Sequence, residues 1–221
     1  MQLYAHRGVH RRHIENTEAA FDEALRLGFR SVELDLVRLR DGHIVIFHDN
    51  TLFRMFQIDE RVEDLTLDEF RRIFPELMAF DRFVERYAGS GLLINFEIKD
   101  DAETLHRIRP ALEQFHAPVI SSFQWNIVDE ALHLGFEGGY LFSSLDQPEA
   151  LLYPFQSHRF HLPFRGERDL VLPEAIQSAE DRSLYYYTVN KRADLHYLQT
   201  IPGFSGVFTD EPGLRRAPLV F

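Results

Sequence analysis

Short apolar runs alternate with stretches of helical spacing along almost the whole chain. "LYAH", near the start, is a short apolar run that ends in polar residues. After it, Phe21, Ala24, Leu25 and Gly28 recur at i, i+3, i+4 and i+7, the spacing of one helix face. Asn16 or Thr17 suits the start of that helix and Gly28 its end. "SVELDLV" reads as a strand. Asp41-Gly42 marks a tight turn, and a second apolar run, "IVIF", returns from it. Thr66 and Glu69 have capping-box spacing ahead of Leu67, Phe70 and Phe74, and Pro75 stops that helix. Leu77, Phe80, Val84 and Tyr87 share one face of the next.

"GLLINFEIK" is the clearest strand. Leu105, Ile108, Leu112 and Phe115 predict a helix after it, with Pro110 as a kink point. Strand "PVISSF", a helix over 125–134, strand "GGYLF", a helix near 147–154 and strand "RFHLPF" follow. A helix over 173–182 opens on Pro173, a favoured first-turn position. Strand "LYYYTV" precedes Asn190, the expected cap of a helix over 191–200, and "GVFTD" is the last strand. Eight strand candidates, mostly separated by helices, predict a parallel sheet. Eight such units in 221 residues suit a (β/α)8 barrel. The expected organisation is one barrel domain over 1–221, with a short irregular insertion around 50–75. A doubly wound open sheet would need a reversal of strand order and often a Gly-rich first turn, and the sequence has no sign of either.

Composition narrows the partners. With 24 basic and 35 acidic residues the net charge is −11, which argues against general affinity for nucleic acid or anionic membrane. An anionic ligand would need a local positive site or a metal. There is no cysteine, so disulfide and thiolate chemistry are excluded. No apolar run approaches the roughly 18 residues that span a membrane. "MQLYAHRG" lacks the layout of a secretory signal, and the expectation is a cytoplasmic protein.

In a barrel of this kind chemistry sits at the C-terminal ends of the strands. "HRGVHRRHIENT" follows the first strand, a basic knot on an acidic chain. His6 and Arg7 stand directly past that strand; alone they read equally well as a surface loop. Glu33 and Asp35 are two apart in a strand and share a face, opposite Val32, Leu34 and Leu36. Two carboxylates there need pairing, by a salt bridge or by a divalent cation. Asn95, Glu97 and Lys99 also share a face, on a strand expected near the second. His48 follows "IVIF". Two histidines, three carboxylates, one arginine and one lysine suit phosphodiester cleavage. No Ser or Cys nucleophile with a base stands out.

These residues resemble the glycerophosphodiester phosphodiesterase family. Its pattern appears in order as His6-Arg7-Gly8, Glu15-Asn16-Thr17, Glu33-Leu34-Asp35, Asp41-Gly42, His48-Asp49 and Glu97-Ile98-Lys99. "SSF" at 121–123, "YTVN" at 187–190 and "GVFTDEP" at 206–212 resemble its later blocks. The resemblance implies a (β/α)8 barrel hydrolase dependent on a divalent cation, Ca²⁺ or Mg²⁺. It implies His6 and His48 as the acid/base pair and Glu33, Asp35 and Glu97 as metal ligands. Arg7 and Lys99 would hold the phosphate, and Glu15 would brace the first loop. Attack by water and attack by a neighbouring glycerol hydroxyl, through a cyclic phosphate, both stay open. So does the assignment of acid and base between the histidines.

The chain departs from the family in three places. Val37-Arg38-Leu39-Arg40 replaces the usual Thr or Ser before the turn, Tyr187 replaces a Trp, and a Gly-rich stretch after His-Asp is missing. A different lid over the substrate is expected. The implied substrate is a small glycerophosphodiester, cleaved to an alcohol and glycerol phosphate. A lysophospholipid or related headgroup is the alternative, with Phe53, Met55, Phe56 and Phe123 as an apolar rim. A non-catalytic phosphodiester-binding barrel would show damage to the catalytic set, and none is seen. His10, Arg11, Arg12 and His13 receive no catalytic role. Either they attract an anionic substrate or they form solvated surface.

Overall fold

The computed structural model describes residues 1–166, 172, 174–177 and 181–216. Eight parallel strands close into a barrel: β1 (Gln2–Ala5), β2 (Ser31–Arg38), β4 (Leu93–Ile98), β5 (Val119–Ser122), β6 (Glu137–Leu141), β7 (Arg159–Pro163), β8 (Ser183–Tyr187) and β9 (Phe204–Thr209). Their order is β1-β9-β8-β7-β6-β5-β4-β2, and β1 pairs with β2 to shut the ring. The run "IVIF" supplies β3 (Ile44–Ile46), antiparallel to β2, so it extends the hairpin and stays out of the barrel.

The alternation within β2 and β4 explains how carboxylates come to lie inside. Val32, Leu34 and Leu36, with Ile94, Phe96 and Ile98, belong to the apolar cluster between barrel and helices. Each such side chain contributes about 1.5–3 kcal/mol by leaving water. A one-residue slip would turn all six into the barrel and set the carboxylates against the helices, so the outer face fixes the register. That register makes Asp35 and Glu97 Cα partners and turns Glu33, Asp35, Asn95 and Glu97 to the other face. All four are buried.

The helices meet most of the expectations. Helix α1 (Glu18–Arg26) is capped by Thr17, whose hydroxyl accepts from the Ala20 amide; Asn16 does something else. Helix α3 (Leu67–Ile73) has the full capping box of Thr66 and Glu69. Helices α4 (Phe80–Tyr87), α5 (Ala102–Leu112) and α6 (Trp125–His133) follow, and α5 includes Pro110. The helix expected near 147–154 is a 3-10 turn at Pro148–Leu151. Of the helix expected over 173–182, α7 (Glu174–Gln177) is present, while Pro173 and residues 178–180 lie outside the described residues. Asn190 does not cap α8 (Arg192–Leu198): Lys191 holds that position without a side-chain hydrogen bond.

The segment around 50–75 carries more structure than its composition suggested. It contains α2 (Phe53–Phe56), a 3-10 turn at Val62–Asp64 and α3. Leu52, Val62, Leu65, Phe70 and Phe74 form an apolar cluster with Val45 and Phe47 of the β3 run. The phenylalanine rings of residues 47 and 70 meet edge to face, 5.0 Å between centroids. This packing anchors the chain immediately before His48. Among the described residues no helix is long and apolar enough to cross a membrane.

Candidate active site

The turn after β1 is bent to aim one amide. Arg7 and Gly8 both have left-handed backbones, φ 57° and 77°. A Cβ on Gly8 would come within 2.7 Å of the Ala20 backbone, so only glycine fits there. The bend lets the Arg7 amide donate to Glu33 Oε2 at 3.0 Å. The Arg7 guanidinium donates to Glu15 at 3.0 Å and lies 3.3 Å from Asp35 Oδ2. Glu15 thus braces the loop as expected, with Arg54 as a second donor.

Glu33, Asp35 and Glu97 present carboxylate oxygens within 4.8 Å of one another. Two cations face them: Arg7, and Lys99, whose ammonium lies 3.4 Å from Asp35 Oδ1 and contacts Glu97. Burial would raise the Asp35 carboxyl, but Lys99 and Arg7 outweigh it and hold the group well below the usual carboxylate range. Glu33 goes the other way. Burial, with Asp35 and Glu97 beside it, pushes its carboxyl well above the usual range against the pull of Arg7. Burial would lower the Lys99 ammonium, but Glu97 and Asp35 reverse that and raise it.

The donor set fits a hard divalent cation. All three ligand candidates offer oxygen, which Ca²⁺ and Mg²⁺ require. Glu33 Oε1 and Asp35 Oδ1 are buried and have no hydrogen-bond partner. Two monovalent cations against three carboxylates leave Glu33 uncompensated, and a divalent ion would restore its charge balance.

The two histidines have matching surroundings. His6 Nδ1 lies 2.8 Å from Asp210 Oδ1, and His48 Nδ1 lies 2.6 Å from Asp49 Oδ1. A carboxylate at Nδ1 places the proton there and leaves Nε2 as the working nitrogen. Burial lowers the His48 imidazole and outweighs the raising effect of Asp35. Both histidines line one cavity of about 180 Å³, with Arg7, Glu33 and Glu97. Asn95, Ser121 and His161 also line it, and Phe123, Tyr187 and Thr188 contribute to its wall.

The model of the glycerophosphoryl diester phosphodiesterase family matches residues 6–127, more than half of the chain, and takes in all of the site residues just described except His161, Tyr187, Thr188 and Asp210. The chain belongs to this family of phosphodiesterases. A glycerophosphodiester phosphodiesterase of Caldanaerobacter subterraneus subsp. tengcongensis is 28% identical over 95% of this chain and 94% of its own. One of Bacillus altitudinis is 27% identical over 96% and 95%. The crystal structure of the Thermotoga maritima enzyme superposes with a TM-score of 0.78 at 25% identity, covering 96% of each chain. The fold is shared also with an Oleispira antarctica phosphodiesterase, solved in complex with the product sn-glycerol-3-phosphate, at TM-score 0.80 and 23% identity.

For this phosphodiesterase, the seven residues singled out in the sequence converge: His6, Arg7, Glu33, Asp35, His48, Glu97 and Lys99 lie at one end of the barrel. The expected apolar rim does not hold together. Phe123 lines the cavity, whereas Met55 and Phe56 pack against the cluster of the 50–75 segment. Phe53 is exposed and is not among the cavity-lining residues.

Sequence reasoning did not anticipate several of the partnerships. Asp210 orients His6, and Asn190 in turn donates to Asp210 Oδ2 at 3.1 Å and accepts from its amide at 2.8 Å. Asn16 donates to Asp35 Oδ2 at 2.8 Å. Arg54 ties Asp49 to Glu15. The signal for Asp210 was available: it stands directly past the last strand, where polar residues carry function in a barrel.

Proposed function

We propose that this phosphodiesterase hydrolyses small glycerophosphodiesters to an alcohol and glycerol phosphate, with a divalent cation, Ca²⁺ or Mg²⁺. The observation that carries the reading is the pair of carboxylate-oriented imidazoles, His6 and His48, on one cavity with three clustered carboxylates. Glu33, Asp35 and Glu97 would hold the cation, which when bound supplies charge stabilisation to the phosphoryl oxygens. Arg7 and Lys99 hold the phosphate. One imidazole takes the proton of the attacking oxygen through Nε2, and the other gives a proton to the departing alcohol. Asp49 and Asp210 stabilise whichever ring is protonated. The product bound by the Oleispira protein, which shares this fold, supports glycerol phosphate as the retained half. A net charge of −11 supports a small diester gripped locally over a polyanion.

The test is turnover of glycerophosphocholine and glycerophosphoethanolamine with added Mg²⁺ or Ca²⁺. The expected result is release of glycerol phosphate that chelation abolishes. No turnover on any diester with any metal would overturn the reading. A transient cyclic phosphate, with turnover lost on a diester that lacks the neighbouring glycerol hydroxyl, would identify attack by that hydroxyl; turnover retained on such a diester would identify direct attack by water. A second reading, cleavage of lysophospholipid headgroups, draws on Phe123, which is 42% exposed on the cavity wall. A series of lyso-substrates of increasing chain length separates the two. Activity confined to water-soluble diesters removes the lipid reading.

A further inference from the structure

The loop after β1 carries chemistry-bearing residues that the reaction does not use, His10 among them. His10 lies outside the His-Arg-Gly and Glu-Asn-Thr blocks, in the part of the basic knot with no assigned role. Its Nε2 lies 3.1 Å from Asp210 Oδ1, the same oxygen that His6 Nδ1 reaches at 2.8 Å. Among the described residues, His6, His10 and Asp210 form a second group whose ligand atoms all lie within 4.8 Å of one another.

The geometry points to a Zn²⁺ site formed by His6 Nδ1, His10 Nε2 and Asp210 Oδ1, whose occupation captures His6 and stops the phosphodiesterase. The inhibitory half rests on the reading of His6 as an acid/base group; the site itself does not.

Two imidazoles and one carboxylate are a borderline donor set that suits zinc. Ca²⁺ and Mg²⁺ prefer oxygen donors and are better served by Glu33, Asp35 and Glu97. The barrel therefore presents two clusters of different chemical preference side by side. A tetrahedral zinc with bonds of about 2.0–2.2 Å holds its donors roughly 3.3 Å apart. The two contacts to Asp210, at 2.8 and 3.1 Å, stand a few tenths of an ångström short of that spacing, and the two ring nitrogens already lie within 4.8 Å of each other.

The third ligand is fixed in advance. Asn190 holds Asp210 Oδ2 and the Asp210 amide, which leaves Oδ1 facing the two rings. Such outer support raises metal affinity. His10, Asp210 and His6 are each only partly buried, so the ion can enter from solvent. On binding, each ring coordinates through the nitrogen that faced Asp210, and a neutral ring carries its one proton on the other nitrogen instead: Nε2 of His6 and Nδ1 of His10. His6 is then tied to zinc through Nδ1 and loses the carboxylate contact that orients it. Three protein ligands leave the fourth position to water.

The test uses the whole chain saturated with Mg²⁺, with Zn²⁺ added by equilibrium dialysis, and compares it with His10→Ala. Zinc that enters the carboxylate cluster does so equally in both and cancels. The unmodified protein is expected to bind one additional Zn²⁺ at least tenfold more tightly than the variant. Co²⁺ is expected to give the visible absorption of a four-coordinate site, lost in His10→Ala. The Mg²⁺-supported rate is expected to be the same in both, with the Zn²⁺ concentration for half inhibition raised at least tenfold in the variant. Equal Zn²⁺ affinity and equal Co²⁺ spectra overturn the site. Zinc bound through His10 that leaves the rate untouched overturns the inhibitory half, whereas full activity of a zinc-free His6→Ala variant would overturn the role of His6 itself.

Discussion

Asp35 and Glu97 face each other in register on neighbouring strands, and Lys99 reaches both carboxylates from the end of β4. The pair is separated by 62 residues in the chain, yet one hydrogen-bonded step in the barrel makes them neighbours. Removing Lys99 leaves the cluster with Arg7 as its one facing cation among the described residues. Lys99→Met is expected to lower kcat/KM on a glycerophosphodiester substantially, because the phosphate loses a partner that metal does not replace. Unchanged kcat/KM would remove Lys99 from phosphate binding.

His48→Ala is expected to lower kcat by roughly 10²- to 10⁴-fold, the usual contribution of a general acid or base. KM should move far less, since His48 does not grip the substrate. Steady-state kinetics at saturating Mg²⁺ measure both. A variant with full activity would remove His48 from the acid/base pair while leaving the fold untouched.

Asn16 donates to Asp35 Oδ2 and so fixes a proposed metal ligand. Asn16→Ala is expected to weaken Mg²⁺ binding by about 10- to 100-fold, the typical cost of losing such support. Calorimetric titration of Mg²⁺ into protein and variant reads this directly. Equal affinities would mean that Asp35 needs no outer partner.

The acid limb of stability should depend on Asp210. Burial would raise its carboxyl, but His10, His6 and Asn190 prevail and hold it far below the usual range. The folded chain therefore binds this proton more weakly than the unfolded chain, whose Asp titrates near about 3.9. Above that pH the stabilisation is fully present; as pH falls below it, the unfolded chain gains protons and stability is lost. Asp210→Asn is expected to flatten the fall of Tm between about pH 4 and lower values. An unchanged acid limb would show that other carboxylates dominate it.

Gly8→Ala tests the bend that aims the Arg7 amide. The added Cβ meets the Ala20 backbone at 2.7 Å in a left-handed conformation. Both stability and activity should fall, because the loop must shift to relieve the contact. Thr66→Ala, which removes only the cap of α3, is expected to cost about 1 kcal/mol and leave kcat unchanged. Together they separate a loss of position at the site from a loss of stability elsewhere.

The sequence alone determined the barrel and most of its chemistry. The alternation of Val32, Leu34 and Leu36 against Glu33 and Asp35 is a period-2 signal, and it fixes which face each carboxylate takes. The capping box of Thr66 and Glu69 is equally local. What lies within one strand or one turn is legible because backbone geometry repeats at short range. The tertiary structure decided the partnerships. Asp210 reaches His6 across 204 positions of sequence, and Asn190, whose spacing suggested a helix cap, instead braces Asp210. Met55 and Phe56, apolar enough for a substrate rim, instead pack against the cluster that holds Phe47, Phe70 and Phe74, where part of their surface leaves water. Such choices depend on which elements become neighbours when the barrel closes, and no local period encodes that.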